Sequence, residues 1–265
     1  MLIATHNIMH GLFVRQLLPA YARLHRERRV GVLCLQECSV SLAAQIRRTL
    51  GPRFRVLRQP TAPELAVVYD RTRLAARRSC VLYLPLLSRV PLWQRIYTSA
   101  SAEQRVALVA RFAPAGRAAG RRRGLTVANF HLDAAGDIDH RVQQMRALSH
   151  ALAVSAANPL VAAGDTNAFS WRVADAEPSL ARVLRPLATR HGALDACAAG
   201  RAVTHYMSRA REPKLGHRIA VAAGRLGVDF PRRYDVVCSS AQLVGSGVVD
   251  TPASDHNLVW ARVRL

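Results

Sequence analysis

Short apolar runs alternate with longer amphipathic stretches along the chain. The runs are LIAT (2–5), VGVLCL (30–35), FRVL (54–57), LAVVYD (65–70), RVALVARF (105–112), GLTVANF (124–130), PLVAAG (159–164), YDVVCSS (234–240) and NLVWARVRL (257–265). Their length and apolar content predict β-strands. In the last run Leu258 and Trp260 alternate with Val259 and Ala261, which suits a sheet with two unlike faces. Two stretches predict helices. SVSLAAQIRRTLG (39–51) starts on Ser and stops on Gly. In 137–157, Val142, Met145, Leu148 and Leu152 recur at helical spacing, and Asp137 and Asp139 suit a helix N-terminus.

Strands and helices mix without strict alternation, and some strands are joined by short links, as antiparallel neighbours are. The pattern predicts an α/β fold of mixed sheets with helices outside. Segments 83–104 and 205–233 fit no regular element, and loops of that length are often functional. PAGRAAGRRRG (114–124) reads as a basic loop between two strands. No repeat and no break in composition divides the chain, so a single domain over 1–265 is expected.

Half of the residues are apolar, enough for a sizeable core and too many for a disordered chain. The formal charge of +21 changes the picture more, because it points to a polyanionic partner, a nucleic acid or an anionic membrane surface. Lys214 is the only lysine among 38 basic residues. Codon bias can explain arginine in place of lysine, but not the shortage of acids. The five cysteines have no CxxC spacing, so neither a disulfide framework nor a zinc site is suggested. Cys34 and Cys238 lie in apolar runs, as buried thiols do. MLIATHNIMHG has no charged segment followed by a long apolar one, and no run approaches the ~18 apolar residues of a membrane span. A cytoplasmic protein is the expectation.

Candidate chemistry appears where the strands end. Asn7 follows LIATH, Glu37 follows LCLQ, His131 follows VANF, and Asp165 and Asn167 follow LVAAG. Asp235 opens DVV, and Asp255 and His256 precede the final strand. One such residue is usually a cap or a turn. Asn7 reads equally as a turn residue, Glu37 as a cap for the helix at Ser39, and Asp165-Thr166-Asn167 as a turn. Asp235 has Arg232 and Arg233 as alternative partners, and His131 reads also as a buried structural histidine. The whole series of carboxylates, amides and imidazoles suggests a shared site.

The segments THN (5–7), LQE (35–37), FHL (130–132), GDTN (164–167), YDVV (234–237) and SDH (254–256) follow one another in an order that resembles the endonuclease/exonuclease/phosphatase superfamily, the deoxyribonuclease-I-like fold. The resemblance spans nearly the whole chain, and HRVQQMRAL (140–148) resembles that family's Arg/Gln helix. It implies a four-layer α/β sandwich, two mixed sheets face to face with helices outside. It implies a phosphodiester hydrolase using Mg²⁺, with Mn²⁺ as a substitute. Hard oxygen ligands suit such an ion. By resemblance Glu37 is the central metal ligand, with Asn7 beside it and Asp255 near it. Asp165 and Asn167 activate and orient water, although Asp165 also fits a metal-binding role. His256 donates to the phosphate with Asp235 behind it, and His131 contacts the phosphate.

Arg105, at the head of its strand, reads either as a phosphate contact or as an exposed arginine. His6, His10, His25, His140, His150, His191, His205 and His217 are read as surface or structural. Charge and basic segments favour a DNA or RNA substrate. LPLLSRVPLWQRIY (84–97), with Trp93 and Tyr97, suits base stacking, a lipid interface or packing on the protein. A phospholipid or inositol phosphate esterase of the same fold is the alternative. A non-catalytic polyanion binder is a third reading, which would need neither Asp165 nor Asp235.

Overall fold

A computed structural model describes residues 1–90, 92, 94–95, 103–116, 124–152, 158–170, 175–198, 203–209, 215–227, 231–251 and 254–265. Its strands are β1 (Leu2–Asn7), β2 (Val30–Gln36), β3 (Phe54–Leu57), β4 (Ala66–Asp70), β5 (Leu74–Tyr83), β6 (Val106–Pro114) and β7 (Leu125–His131). They continue with β8 (Leu160–Asp165), β9 (Leu194–Asp195), β10 (His205–Tyr206), β11 (Pro231–Arg232), β12 (Asp235–Ser239), β13 (Gln242–Val249) and β14 (Leu258–Arg264). The longer helices are α1 (Val14–Arg28), α2 (Val40–Leu50), α3 (Ile138–Ala151), α4 (Ala176–His191) and α5 (Leu215–Arg225).

Two six-stranded sheets carry the fold, in the orders β13-β14-β1-β2-β4-β3 and β5-β6-β7-β8-β12-β9. Each has one parallel pair at its centre, β1 with β2 and β7 with β8, and every other pairing is antiparallel. Strand alternation sorts the side chains into layers. Ile3, Val32, Cys34, Val127, Val161, Ala163 and Val259 fill the space between the sheets. Leu33, Leu35 and Ala4 face outward onto α1 and α2 through Leu17, Tyr21, Leu42 and Ile46. Ala128, Phe130, Leu160 and Ala162 face α3 and α4 through Met145, Leu148, Leu180 and Leu187. The result is the expected four-layer sandwich. Both predicted helices form. Ser39 caps α2 by accepting from Leu42 N, and Asp137 caps α3 by accepting from His140 N.

The reading of 205–233 as irregular is corrected. It contains β10, α5 and β11, because β10 pairs with β11 and Ser208 packs on Gly224. The basic residues 117–123, Trp93, Tyr97 and Lys214 lie outside the described residues, as does the end of the predicted helix at 153–157.

The middle layer is not wholly apolar. Thr5, Gln36 and Asn129 are fully buried there. Gln36 Nε2 donates to Thr5 Oγ1 at 3.0 Å and to Asn129 Oδ1 at 2.6 Å across the gap. Asn129 Nδ2 donates to the carbonyls of Leu35 and Ala66, both at 3.0 Å. This polar bridge fixes one sheet against the other close to the strand ends that carry the candidate residues. Paired in this way the groups avoid the cost of burying an open donor or acceptor.

Candidate functional site

The topology brings the strand ends together. Parallel β1 and β2 both finish at one edge of their sheet, with Asn7 opposite Gln36. Parallel β7 and β8 finish at the same edge of theirs, with His131 opposite Asp165. Antiparallel β12 starts there, with Asp235 opposite Asp165. β14 runs antiparallel to β1, so Asp255 and His256 precede its start at the same edge.

Gly164 makes the register tight. A Cβ at this position would stand 1.9 Å from the Phe130 carbonyl oxygen, so only glycine allows β7 and β8 to approach and set Asp165 beside His131. Backbone strain gathers here too. Met9, His10, Glu37 and Asn167 all have positive φ, and only Arg29, after α1, shares that feature elsewhere among the described non-glycine residues.

Asp165 is the hub, fully buried. Its Oδ2 accepts from Asn7 Nδ2 at 3.0 Å and lies 3.7 Å from both His131 Nε2 and His256 Nε2. Its Oδ1 accepts from Asn167 N at 2.8 Å. Burial alone would raise its pKa. The two imidazoles and the Asn7 and Asn167 donors outweigh that and hold it below the usual carboxylate range. Asn167 Nδ2 donates to the Leu132 carbonyl at 3.0 Å, which fixes its amide.

The two histidines differ in charge. His256 Nδ1 is 2.7 Å from Asp235 Oδ2. Burial would strip its proton, but the carboxylates of Asp235, Asp165 and Asp255 hold its pKa well above the ordinary histidine value. His131 is pushed by burial down to about 4 against the pull of Asp165, so it is neutral at pH 7, and its buried Nδ1 has no partner. Arg232 and Arg233 do not take Asp235. Arg233 instead bonds Glu177 at 2.6 Å and Asp195, tying α4 to β9.

Glu37 does not cap α2, a task Ser39 performs. Its Oε1 accepts from Asn7 Nδ2 at 3.1 Å, and its Oε2 lies 3.4 Å from His10 Nε2. Burial raises its pKa, Asn7 and His10 only partly offset this, and nearby Asp255 adds to the rise. The carboxyls of Glu37 and Asp255 offer oxygen donors that fit a hard divalent cation. Asn7 turns its amide nitrogen, not its oxygen, toward Glu37 and Asp165, and its oxygen accepts from Met9 N at 3.2 Å.

Two histidines read as surface or structural prove to line this site. His10 faces Glu37, and His205 stands 3.6 Å from Asp255 Oδ2 with its ring against His256. Thr204, the residue before His205, accepts from Asp235 N and Tyr234 N through its hydroxyl, which holds His205 at the centre. Arg105 is neither exposed nor aimed at the centre. It pairs with Asp133 at 3.2 Å, Glu103 at 3.3 Å and Glu64 at 3.8 Å.

No protein-family model matches the chain, and no curated protein matches its sequence. Solved structures do match. An endonuclease/exonuclease/phosphatase protein from Bacteroides vulgatus superposes with a TM-score of 0.70 at 17% identity, covering 100% of this chain and 98% of its own. D. rerio TDP2 complexed with a single-strand DNA product gives 0.69 at 13% identity, covering 100% and 99%. A mannosyl-6-phosphatase from Bacteroides thetaiotaomicron gives 0.66 at 14% identity, covering 100% of both chains. With two mixed sheets between helices and likenesses that run the whole length, the chain has the fold of the endonuclease/exonuclease/phosphatase proteins.

Proposed function

We propose that residues 1–265 form one catalytic domain, a divalent-metal-dependent phosphodiester hydrolase acting on a nucleic-acid backbone. The observation that carries it is the His256–Asp235 pair at 2.7 Å with His256 Nε2 3.7 Å from the buried Asp165 Oδ2. An ionised carboxylate and a retained imidazolium within 3.7 Å supply a base and a phosphate donor at one point.

Asp165 takes the proton of the attacking water, which Asn167 orients. The water oxygen bonds to phosphorus as the bond to the leaving oxygen breaks. His256 donates Nε2–H to a phosphoryl oxygen, with Asp235 holding Nδ1–H. His131, being neutral, contacts the phosphate as a hydrogen-bond donor and adds no charge. Glu37 and Asp255 would hold Mg²⁺ or Mn²⁺, and Asn7 beside them fixes Glu37 relative to Asp165. When bound, such a cation polarises the phosphate and stabilises the charge on the leaving oxygen.

The +21 charge supports a polyanionic substrate. One specific feature favours a second reading, a phospholipid or inositol phosphate esterase. Leu215, Ile219 and Leu226 form an exposed apolar stripe on and just after α5, which follows β10 and His205. A panel of double- and single-stranded DNA, RNA, abasic DNA and phospholipids, with Mg²⁺, Mn²⁺ or chelator, separates the two. Nucleic-acid cleavage abolished by chelator, and lost in folded His256→Ala and Asp165→Ala variants, is expected. Turnover of lipid headgroups alone replaces the first reading with the second. Full activity in both variants overturns the mechanism.

A further inference from the structure

His205 has no part in the proposed reaction, yet it is packed into the centre. It is 8% exposed. Its backbone is fixed on both sides, by pairing with Arg232 in β11 and by a bridge to His256. Its ring lies 4.7 Å from the Tyr234 ring and 4.6 Å from the His256 ring, centroid to centroid. Nε2 faces Asp255 Oδ2 at 3.6 Å, and the buried Nδ1 has no hydrogen-bond partner among the described residues. One ligand atom from each of His205, Asp255 and His256 lies within 4.8 Å of the others.

We propose that His205, Asp255 and His256 form a site for a borderline transition cation such as Zn²⁺, and that the cation blocks His256 from the phosphate. Three observations support it. Two imidazoles and a carboxylate are a donor set that suits Zn²⁺ and leaves a position open. The three donor atoms already lie within 4.8 Å of one another, close to the spacing of ligands that each sit roughly 2 Å from one zinc ion. Asp235 already holds His256 Nδ1–H, so Nε2 is the nitrogen that faces the cation, which binds there by displacing the Nε2 proton to solvent; a carboxylate on the far nitrogen is the usual support for a metal-bound histidine. Asp255 is shared with the proposed Mg²⁺ site, but the imidazoles are what discriminate between the two ions.

The blocking step rests on the proposed function; the binding step does not. Zn²⁺ is titrated calorimetrically into the whole chain in excess Mg²⁺, with His205→Phe as the variant and His205→Gln as a second where the first melts early. One Zn²⁺ should bind the wild type, at least about ten-fold more weakly in either variant. Inhibition of Mg²⁺-dependent turnover by Zn²⁺, read relative to each protein's own uninhibited rate, should be shifted by the same factor as binding. Equal Zn²⁺ affinity in wild type and variants, or no binding to the wild type, overturns the site. Zn²⁺ binding that depends on His205 in a chain that hydrolyses nothing supports the site and overturns the hydrolase.

Discussion

In the first sheet β1 and β2 run parallel and deliver Asn7 and Glu37; in the second β7 and β8 run parallel and deliver His131 and Asp165. The architecture is the same and the electrostatics are opposite. On the first side the pKa of Glu37 is raised by burial. On the second Asp165 is held ionised by its donors although it is fully buried. The difference lies in the partners. Asp165 collects two imidazoles, an amide and a backbone N–H, whereas Glu37 has Asn7, an exposed His10 and the repulsion of Asp255. His256 joins the sides. It stands just before β14 of the first sheet and bonds Asp235 of the second. A matched pair of strand–helix–strand units therefore yields two unlike sides, which the proposed function uses for a metal and for a water.

Removing the cation side should have the largest effect. Glu37→Ala is expected to cut turnover about a thousand-fold and to weaken Mn²⁺ binding followed by electron paramagnetic resonance. Unchanged Mn²⁺ binding would show that the first side does not hold the ion. Uncoupling the sides comes next. Asp235→Asn should lower kcat about a hundred-fold with little change in KM, since His256 loses the group that orients it. A rise in KM alone would make Asp235 a substrate-binding group instead.

The bridge between the sheets is tested by stability rather than rate. Asn129→Ala strands Gln36 and two carbonyls, and urea unfolding should show a loss of about 2 kcal/mol. No loss would mean that the apolar layer alone aligns the sheets.

The effect spread most thinly is a slope with pH. His6 lies behind His256, its Nδ1 accepting from Tyr21 O–H at 2.7 Å and its Nε2–H donating to the His256 carbonyl at 3.0 Å. Burial lowers it from 6.5 to about 3. Between those values only the unfolded chain takes up the proton, so stability falls as pH falls through that window, by roughly 1 kcal/mol per pH unit. His6→Gln should flatten the acid side of a stability–pH curve, and an unchanged curve would place the acid sensitivity in other groups.

Apolar runs flanked by polar residues predict nine of the fourteen described strands and the two capped helices, and they mark the polar residues at the strand ends. Each of those signals is local. The strands and helices that were not read carry weaker or contradictory local signals. β5 places Arg77 and Arg78 within a sheet edge. α1 and α4 hold Pro19 and Pro186, although Leu17, Tyr21 and Leu24 in α1 and Leu180, Val183, Leu184 and Leu187 in α4 repeat at helical spacing and are buried. His205 had no sequence feature to set it apart from the other histidines.

The sequence by itself determined which residue types stand at the mouths of strands, because period and polarity are properties of neighbours along the chain. Only the tertiary structure decided that those mouths share one edge. That follows from two parallel pairs, a glycine with no room for a Cβ, and a polar bridge that sets the register of one sheet on the other. Charge was decided there too. Whether a histidine keeps its proton depends on which carboxylates the fold brings within a few ångströms, and His131 and His256, one residue type in one site, fall on opposite sides of that balance.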